Sequence, residues 1–390
     1  PGTLRFDVER RNFASGNSRL RRRDAIGSET VNTALSFDGV YFTNVSIGTP
    51  PQNLSLFVDT GSADMWFWSS DGGCEHFETD SCEATSAYSP SKSLSYQYIS
   101  SDFSIGYADD SSVTGDFITE SVVIGGATLE NLTVGLVLEG SSSAGIIGVG
   151  YPSGESVTFE DGTEKQYQNL PVVLREQGYI GCAVYSLWLN DIQASRGSIL
   201  FGGLDVEKFD GNMIVLPINK DDGDSRPSAF NVNLRNLGVT AIDGVSYVIA
   251  PKFDGPVLLD SGTTLTNLPA DYVKVMGKLA GAVYNDTTGL YTRDCSVRDS
   301  TGSFDFEFDG ATMKVQFRDM FQPVTNDDLP VYNDEGQPLC EMLVYSSLEG
   351  SSILGDSFLR SVYVVYDLQH DLIGLAQTRF NSTDSKIYPI

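Results

Sequence analysis

An all-β fold in two lobes with a cleft between them is what this chain of 390 residues predicts. Three observations carry that prediction. The length exceeds the roughly 250–300 residues at which one hydrophobic core usually stops growing, so two domains are expected. The 39 glycines punctuate short apolar runs, and helical periodicity is scarce, which reads as many strands joined by tight turns. Finally, one strand–acid–turn unit occurs twice, which reads as two homologous lobes.

Composition narrows the class further. Hydrophobic residues make up 41% of the chain and aromatics 11%, enough apolar surface for sizeable cores and too much for a disordered chain. Acidic residues outnumber basic ones 52 to 25, for a formal charge of −27. Such a field repels phosphate backbones and argues against nucleic acid as a partner. Its self-repulsion eases below about pH 5, although an acidic surplus is equally an ordinary means of staying soluble.

Of the five cysteines, Cys74 and Cys82 lie close together, and Cys295 and Cys340 fall in the last third. Local pairing within each set gives two disulfides. It leaves Cys182 in the apolar run Ile180-Gly181-Cys182-Ala183-Val184-Tyr185, where it reads as a small buried hydrophobe. Asn-x-Ser/Thr sequons at Asn44, Asn53, Asn131, Asn285 and Asn381 fit an extracytoplasmic glycoprotein, as do the cysteine pairs. No apolar run reaches the roughly 18 residues of a membrane span. A secretory signal is expected to have been removed ahead of residue 1, and a GPI-anchor signal is left open.

The first residues differ from the rest. Arg10, Arg11, Arg19, Arg21, Arg22 and Arg23 form a basic segment on an acidic protein. A flexible basic tail is one reading. The sharper one takes residues 1–23 as a propeptide remnant, with Arg21-Arg22-Arg23 as the processing site and electrostatic attraction to an acidic cleft. Beyond it, Val40–Ile47 alternates like a strand and breaks at Gly48-Thr49-Pro50-Pro51. Helices are expected only over residues 270–281 and in short pieces near 169–177 and 355–360.

The repeat is the most informative feature. Leu54–Val58 runs into Asp59-Thr60-Gly61-Ser62, and Val257-Leu258-Leu259 runs into Asp260-Ser261-Gly262-Thr263. Roughly 90 residues after each comes a matching element, Ile146-Ile147-Gly148 and Ile353-Leu354-Gly355. A pseudo-twofold arrangement brings the two acidic turns face to face. Carboxylates at the ends of buried strands are costly unless hydrogen-bonded, glycine permits the close turn, and the neighbouring hydroxyls can serve as donors. Two aspartates that meet cannot both ionise cheaply, so they titrate as a pair. One can then take a proton from water while the other donates to a carbonyl oxygen. A single Asp-Thr-Gly reads as a surface turn; two in matching contexts do not.

Other catalytic classes lack material. Only His76 and His370 exist, so a Ser-His-Asp triad or a multi-histidine zinc site is not expected. No glycine-rich phosphate loop is present.

From about residue 38 onward the chain resembles the pepsin family of aspartic proteases. The resemblance rests on Tyr41-Phe42 through Ile47-Gly48-Thr49-Pro50-Pro51-Gln52, on both Asp motifs, and on Ile353–Arg360 followed by Tyr363–Asp367. It implies an endopeptidase acting in acid on extended peptides, with Asp59 and Asp260 catalytic and no metal or organic cofactor. It further implies that Thr60 and Ser261 cross-link the two loops, while Ser62 and Thr263 support the aspartates. Tyr107 falls at the family's flap tyrosine and Trp66 at the tryptophan behind it. The division implied is residues 24–200 for the first lobe with its flap and 201–390 for the second, in a monomer.

The flap departs from pepsin: Ala108-Asp109-Asp110-Ser111-Ser112 is longer and more acidic. In this, and in the basic prosegment, it is similar to the fungal yapsins. Asp109 and Asp110 read either as solvated residues at the hairpin tip or, in the sharper reading, as carboxylates that favour Lys or Arg beside the scissile bond. The Cys74–Cys82 loop is also acidic and reads as a stapled surface loop. The rival reading from another class is a catalytically inactive pepsin-like binding or inhibitor protein, against which the intact motifs stand.

Overall fold

The computed structural model describes residues 2–12, 39–73, 87–108, 111–142, 144–155, 166–194, 196–221, 223–249, 251–286, 288–326, 329–347 and 351–390. Cys74, Cys82, Asp109, Asp110, Arg19 and Arg21 to Arg23 lie outside the described residues.

The strands that the alternation and turn signals outlined are β1 (Leu4–Asn12), β2 (Gly39–Ile47), β3 (Gln52–Asp59), β4 (Met65–Gly73), β5 (Gln97–Gly106), β6 (Ser112–Ile124), β7 (Ala127–Gly140), β8 (Ile146–Gly148), β9 (Val184–Trp188) and β10 (Arg196–Phe201). They lie in one sheet in the order β5-β6-β7-β4-β8-β3-β2-β1-β10-β9, and the sheet continues through Val362–Asp367, Leu372–Thr378 and Phe209–Pro217. The second lobe adds smaller sheets, one of them ordered Asn231–Leu234, Gly255–Leu259, Ile353–Leu354, Thr266–Leu268, Val344–Ser346. The fold is the expected all-β, bilobal one.

The repeat has a structural meaning that spacing alone does not convey. β3 pairs in parallel with β8, Phe57 opposite Ile146 and Asp59 opposite Gly148. Gly255–Leu259 pairs in parallel with Ile353–Leu354 in the same way, Leu258 opposite Ile353. Each aspartate thus emerges beside its own downstream apolar-apolar-Gly element, which returns to lie against the strand that leads to the acid. In each pair the residue just before the acid, Val58 or Leu259, is buried opposite a buried aliphatic partner, Ile147 or Leu354, and this contact holds the acidic loop from beneath.

Residues 2–12 are not a loose tail. Leu4, Phe6 and Val8 alternate with Arg5, Asp7 and Glu9, and β1 is an inner strand that pairs with β10 from Leu4 to Glu9 and with β2 from Glu9 to Asn12. Phe6 and Val8 are buried. The period-2 pattern of a strand is present in this stretch of sequence alongside its arginines.

Nor do the lobes keep separate cores. An aromatic ladder joins them: Tyr185 stacks on Tyr366 at 4.8 Å, Phe230 meets Tyr366 at 4.6 Å, and Tyr151 meets Phe230 at 5.2 Å. The principal apolar cluster consequently runs from Phe6 in β1 through to Leu375. Helices are few, as expected: among the described residues α1 (Leu170–Glu176), α2 (Ala270–Leu279) and the four-residue turn Asp356–Leu359 fall where they were expected, and a further four-residue turn, Phe317–Met320, was not expected. Cys295 and Cys340 form a disulfide with Cα atoms 4.9 Å apart. Cys182 is unpaired and half-buried, packed against a small apolar cluster, close to the role expected of it.

Candidate active site

Asp59 ends β3 and Asp260 follows Gly255–Leu259, and both carboxyls are nearly withdrawn from solvent, at 5% and 8% exposure. Burial of two acids requires donors, and each loop supplies them in the same pattern. Gly61 N–H donates to Asp59 Oδ1 at 2.7 Å and the Ser62 hydroxyl donates to Oδ2. Gly262 N–H donates to Asp260 Oδ1 at 2.8 Å and the Thr263 hydroxyl donates to Oδ2 at 2.5 Å. These contacts engage both oxygens of each carboxyl.

The loops are tied to each other reciprocally. Ser261 N–H donates to Thr60 Oγ1 at 2.9 Å, and Thr60 N–H donates to Ser261 Oγ at 3.2 Å. The two hydroxyls then donate across the axis, Thr60 to the Leu259 carbonyl and Ser261 to the Val58 carbonyl, each at 2.9 Å. A buried network in which every member finds a partner is rigid, because any displacement exposes an unsatisfied polar group.

The glycines explain how the acids come together. A Cβ placed on Gly61 would sit 2.5 Å from Asp260 Oδ1, and one on Gly262 would collide with Asp59. Each carboxyl therefore lies over the other loop's glycine, in space that any larger residue would fill. The consequence for Asp59 is a raised pKa. Burial is the largest cause and the Asp260 carboxyl the next, while the Ser62 and Gly61 donors oppose them. Such a pair holds a shared proton over a wide range of acidity.

Trp66 Nε1 donates to the Tyr107 hydroxyl at 2.6 Å, and the two share an apolar cluster with Phe103 and Phe117. Tyr107 sits at the turn of the β5–β6 hairpin, where its N–H donates to the Ser111 carbonyl at 2.8 Å. Asparagines 44, 53, 131, 285 and 381 are all exposed, as a glycan acceptor must be.

Three residues that sequence reading passed over join the site. Asp64, in the loop after Asp59, is fully buried and accepts from the Tyr167 hydroxyl at 2.6 Å. Glu155 accepts from Tyr167 N–H at 2.9 Å. Burial pushes Glu155 up to about 9, with Asp64 adding to the shift and the Tyr167 N–H opposing it. The signal for Asp64 was an acid inside the apolar run Ala63-Asp64-Met65-Trp66, whereas nothing local marks Glu155 or Tyr167.

Comparison with known proteins decides the family. The eukaryotic aspartyl protease family model matches residues 40–378. This chain belongs to that family. A probable aspartic-type endopeptidase opsB from Aspergillus fumigatus is 35% identical over 393 residues, covering all of this chain and 79% of the relative. An acid protease of Saccharomycopsis fibuligera is 37% identical, covering 97% of this chain and 93% of its own length. Secreted aspartic protease 1 of Candida albicans is 33% identical, with coverage of 98% and 92%. The protein is an aspartic endopeptidase, a hydrolase acting on peptide substrates.

Proposed function

We propose that Asp59 and Asp260 are the catalytic pair of this aspartic endopeptidase, and that they cleave peptides in acid by activating one water between them. The observation that carries the reading is the reciprocal one: each carboxyl is held by its own loop's donors and lies over the opposite loop's glycine. With one proton on the pair, the ionised carboxyl takes a proton from the water as it attacks the scissile carbonyl carbon. The protonated carboxyl gives its proton to the carbonyl oxygen. As the tetrahedral adduct collapses, the carboxyl that took the water's proton gives it to the departing amine, and the other carboxylate takes a proton back from a hydroxyl of the adduct, which leaves one proton on the pair. Thr60 and Ser261 hold the loops in register, Ser62 and Thr263 orient the acids, and Tyr107 with Trp66 closes the β5–β6 hairpin over the substrate as a flap.

Asp109 and Asp110 follow closely after Tyr107 in the sequence, and we assign them a preference for Lys or Arg beside the scissile bond. The five exposed sequons, the Cys295–Cys340 disulfide and the secreted Candida relative support a secreted or cell-surface location, with GPI anchoring left to a longer precursor, and the working form is taken as a monomer. Residues 1–23 act as its own propeptide, inhibitory until cleavage at Arg21-Arg22-Arg23, and β1 is the strand by which that segment docks. The lobes then divide near residue 200.

A mixed peptide library incubated between about pH 3 and 7, with cut sites mapped by mass spectrometry, tests this reading. Cuts that vanish in Asp59→Asn and cluster at Lys or Arg are expected. Equal turnover of matched Leu and Lys peptides would remove the basic preference. No cuts at any pH after removal of residues 1–23 would favour the inactive binding protein.

A further inference from the structure

A second line of side chains joins the loop after Asp59 to the β5–β6 hairpin without passing through the Asp-x-Gly turns. It begins at Asp64, whose carbonyl accepts from Gly148 N–H at 3.0 Å, so that the residue is pinned beneath the acidic loop. The Asp64 carboxylate holds the Tyr167 hydroxyl, and Glu155 holds the Tyr167 N–H, so the tyrosine is fixed at both ends. Between those ends its ring packs edge-on against Phe117 of β6, with centroids 5.9 Å apart. Phe117 in turn packs edge-on against Phe103 of β5 at 5.2 Å. The contact therefore reaches both strands of the hairpin. Tyr107 and Tyr167 are both half-buried and both lie against the apolar cluster that contains Trp66.

We propose that Tyr167 is a positioning residue for the flap, a strut that transmits the position of the catalytic loop, through Asp64 and Phe117, to the hairpin bearing Tyr107. The inference rests on the endopeptidase reading of the same cleft but is independent of its specificity. A hairpin closing over a peptide must be ordered when substrate binds, and ordering done in advance by a fixed strut strengthens binding without touching the reacting atoms. Tyr167 makes no contact with Asp59 or Asp260 in the hydrogen-bond network described above. Its loss should therefore appear in substrate affinity rather than in the chemical step.

The test is Tyr167→Phe, which keeps the ring on Phe117 and removes only the tether to Asp64. Active sites are counted with a tight-binding peptide carrying a secondary alcohol in place of the scissile amide. Then kcat and KM are measured for one chromogenic peptide at about pH 4. The expected result is a KM raised about five- to tenfold, with kcat within about twofold and full site titration. Tyr179→Phe removes a hydroxyl bond to the Thr128 carbonyl beyond the other end of α1 and should leave both constants unchanged. Should Tyr167→Phe give no titratable sites, Phe117→Leu carries the test with the same KM-only expectation. An unchanged KM, or a fall in kcat at constant KM, in a fully titrated variant overturns the strut. A wild-type enzyme without turnover would instead overturn the endopeptidase reading on which it rests.

Discussion

At Ser261 one hydroxyl serves two loops, accepting from Thr60 N–H and donating to the Val58 carbonyl inside the protein. Ser261→Ala leaves both of those backbone groups without their partner in a site closed to water. A cost of about 2–3 kcal/mol is expected in urea unfolding, since a buried unsatisfied group costs about 1–3 kcal/mol. Activity should fall alongside, because the cross-link sets the distance between the two acids. The same accounting explains which site residues were legible in advance. Asp59, Thr60, Gly61 and Ser62, and their counterparts at 260–263, each stand together in one short turn, so their pattern is local and repeats even though Thr60 and Ser261 act across the two loops. Tyr167 is held by residues 64 and 155, and no short window of sequence contains that relationship.

Among the elements, β1 separates what composition emphasises from what packing uses. Of its three arginines, Arg5 and Arg11 lie on the face opposite Phe6 and Val8, while Arg10 follows those two along the core face, where Phe6 meets Phe201 at 5.2 Å. Phe6→Ala in the full chain should lower stability by about 3–5 kcal/mol, read by thermal or urea unfolding, as for other buried phenylalanines. A flexible tail would show no change. The two longer helices, by contrast, were readable to within a residue or two: residues 270–281 and a piece near 169–177 were expected, and α2 and α1 are found at Ala270–Leu279 and Leu170–Glu176, whereas the single turn Phe317–Met320 was not marked. The parallel pairing of each acid-bearing strand with its Ile-Ile-Gly or Ile-Leu-Gly partner was not readable. Spacing says that two elements recur, while their register depends on contacts across some ninety residues.

For the molecule as a whole, buried carboxyls set how stability changes with pH. Burial pushes Asp319 up to about 6 against the opposing pull of Arg318 and Arg360, and it also raises Asp356, Glu155 and Asp59. In the unfolded chain such groups titrate near 4. Below about pH 4 Asp319 is protonated in both states and its contribution to stability is complete. As pH rises toward 6 the unfolded chain ionises first, and that contribution is lost, about 3 kcal/mol for a shift of about two units. Asp205 has the opposite sign: although burial opposes it, donors from Lys386, Ser385, Arg5 and Glu207 lower it, so its contribution is lost in stronger acid. Relief of the −27 charge works in the same direction as Asp319. Thermal unfolding should therefore show greatest stability in mild acid and a decline toward neutrality, and Asp319→Asn should flatten the curve between about pH 4 and 6. A wild-type curve that rises through that interval would contradict the assignment.

The most direct measurement is the pH dependence of kcat/KM for one cleaved peptide between about pH 3 and 7, in the wild type, Asp59→Asn, Asp260→Asn and the double variant. If the two acids share one proton and one water, the wild type gives a bell-shaped profile whose limbs belong to the pair. Each single variant then loses about a hundred- to ten-thousandfold, and the double variant loses little more, because the pair acts as a unit. Turnover near wild type in either single variant, or losses that multiply in the double, would contradict a shared dyad.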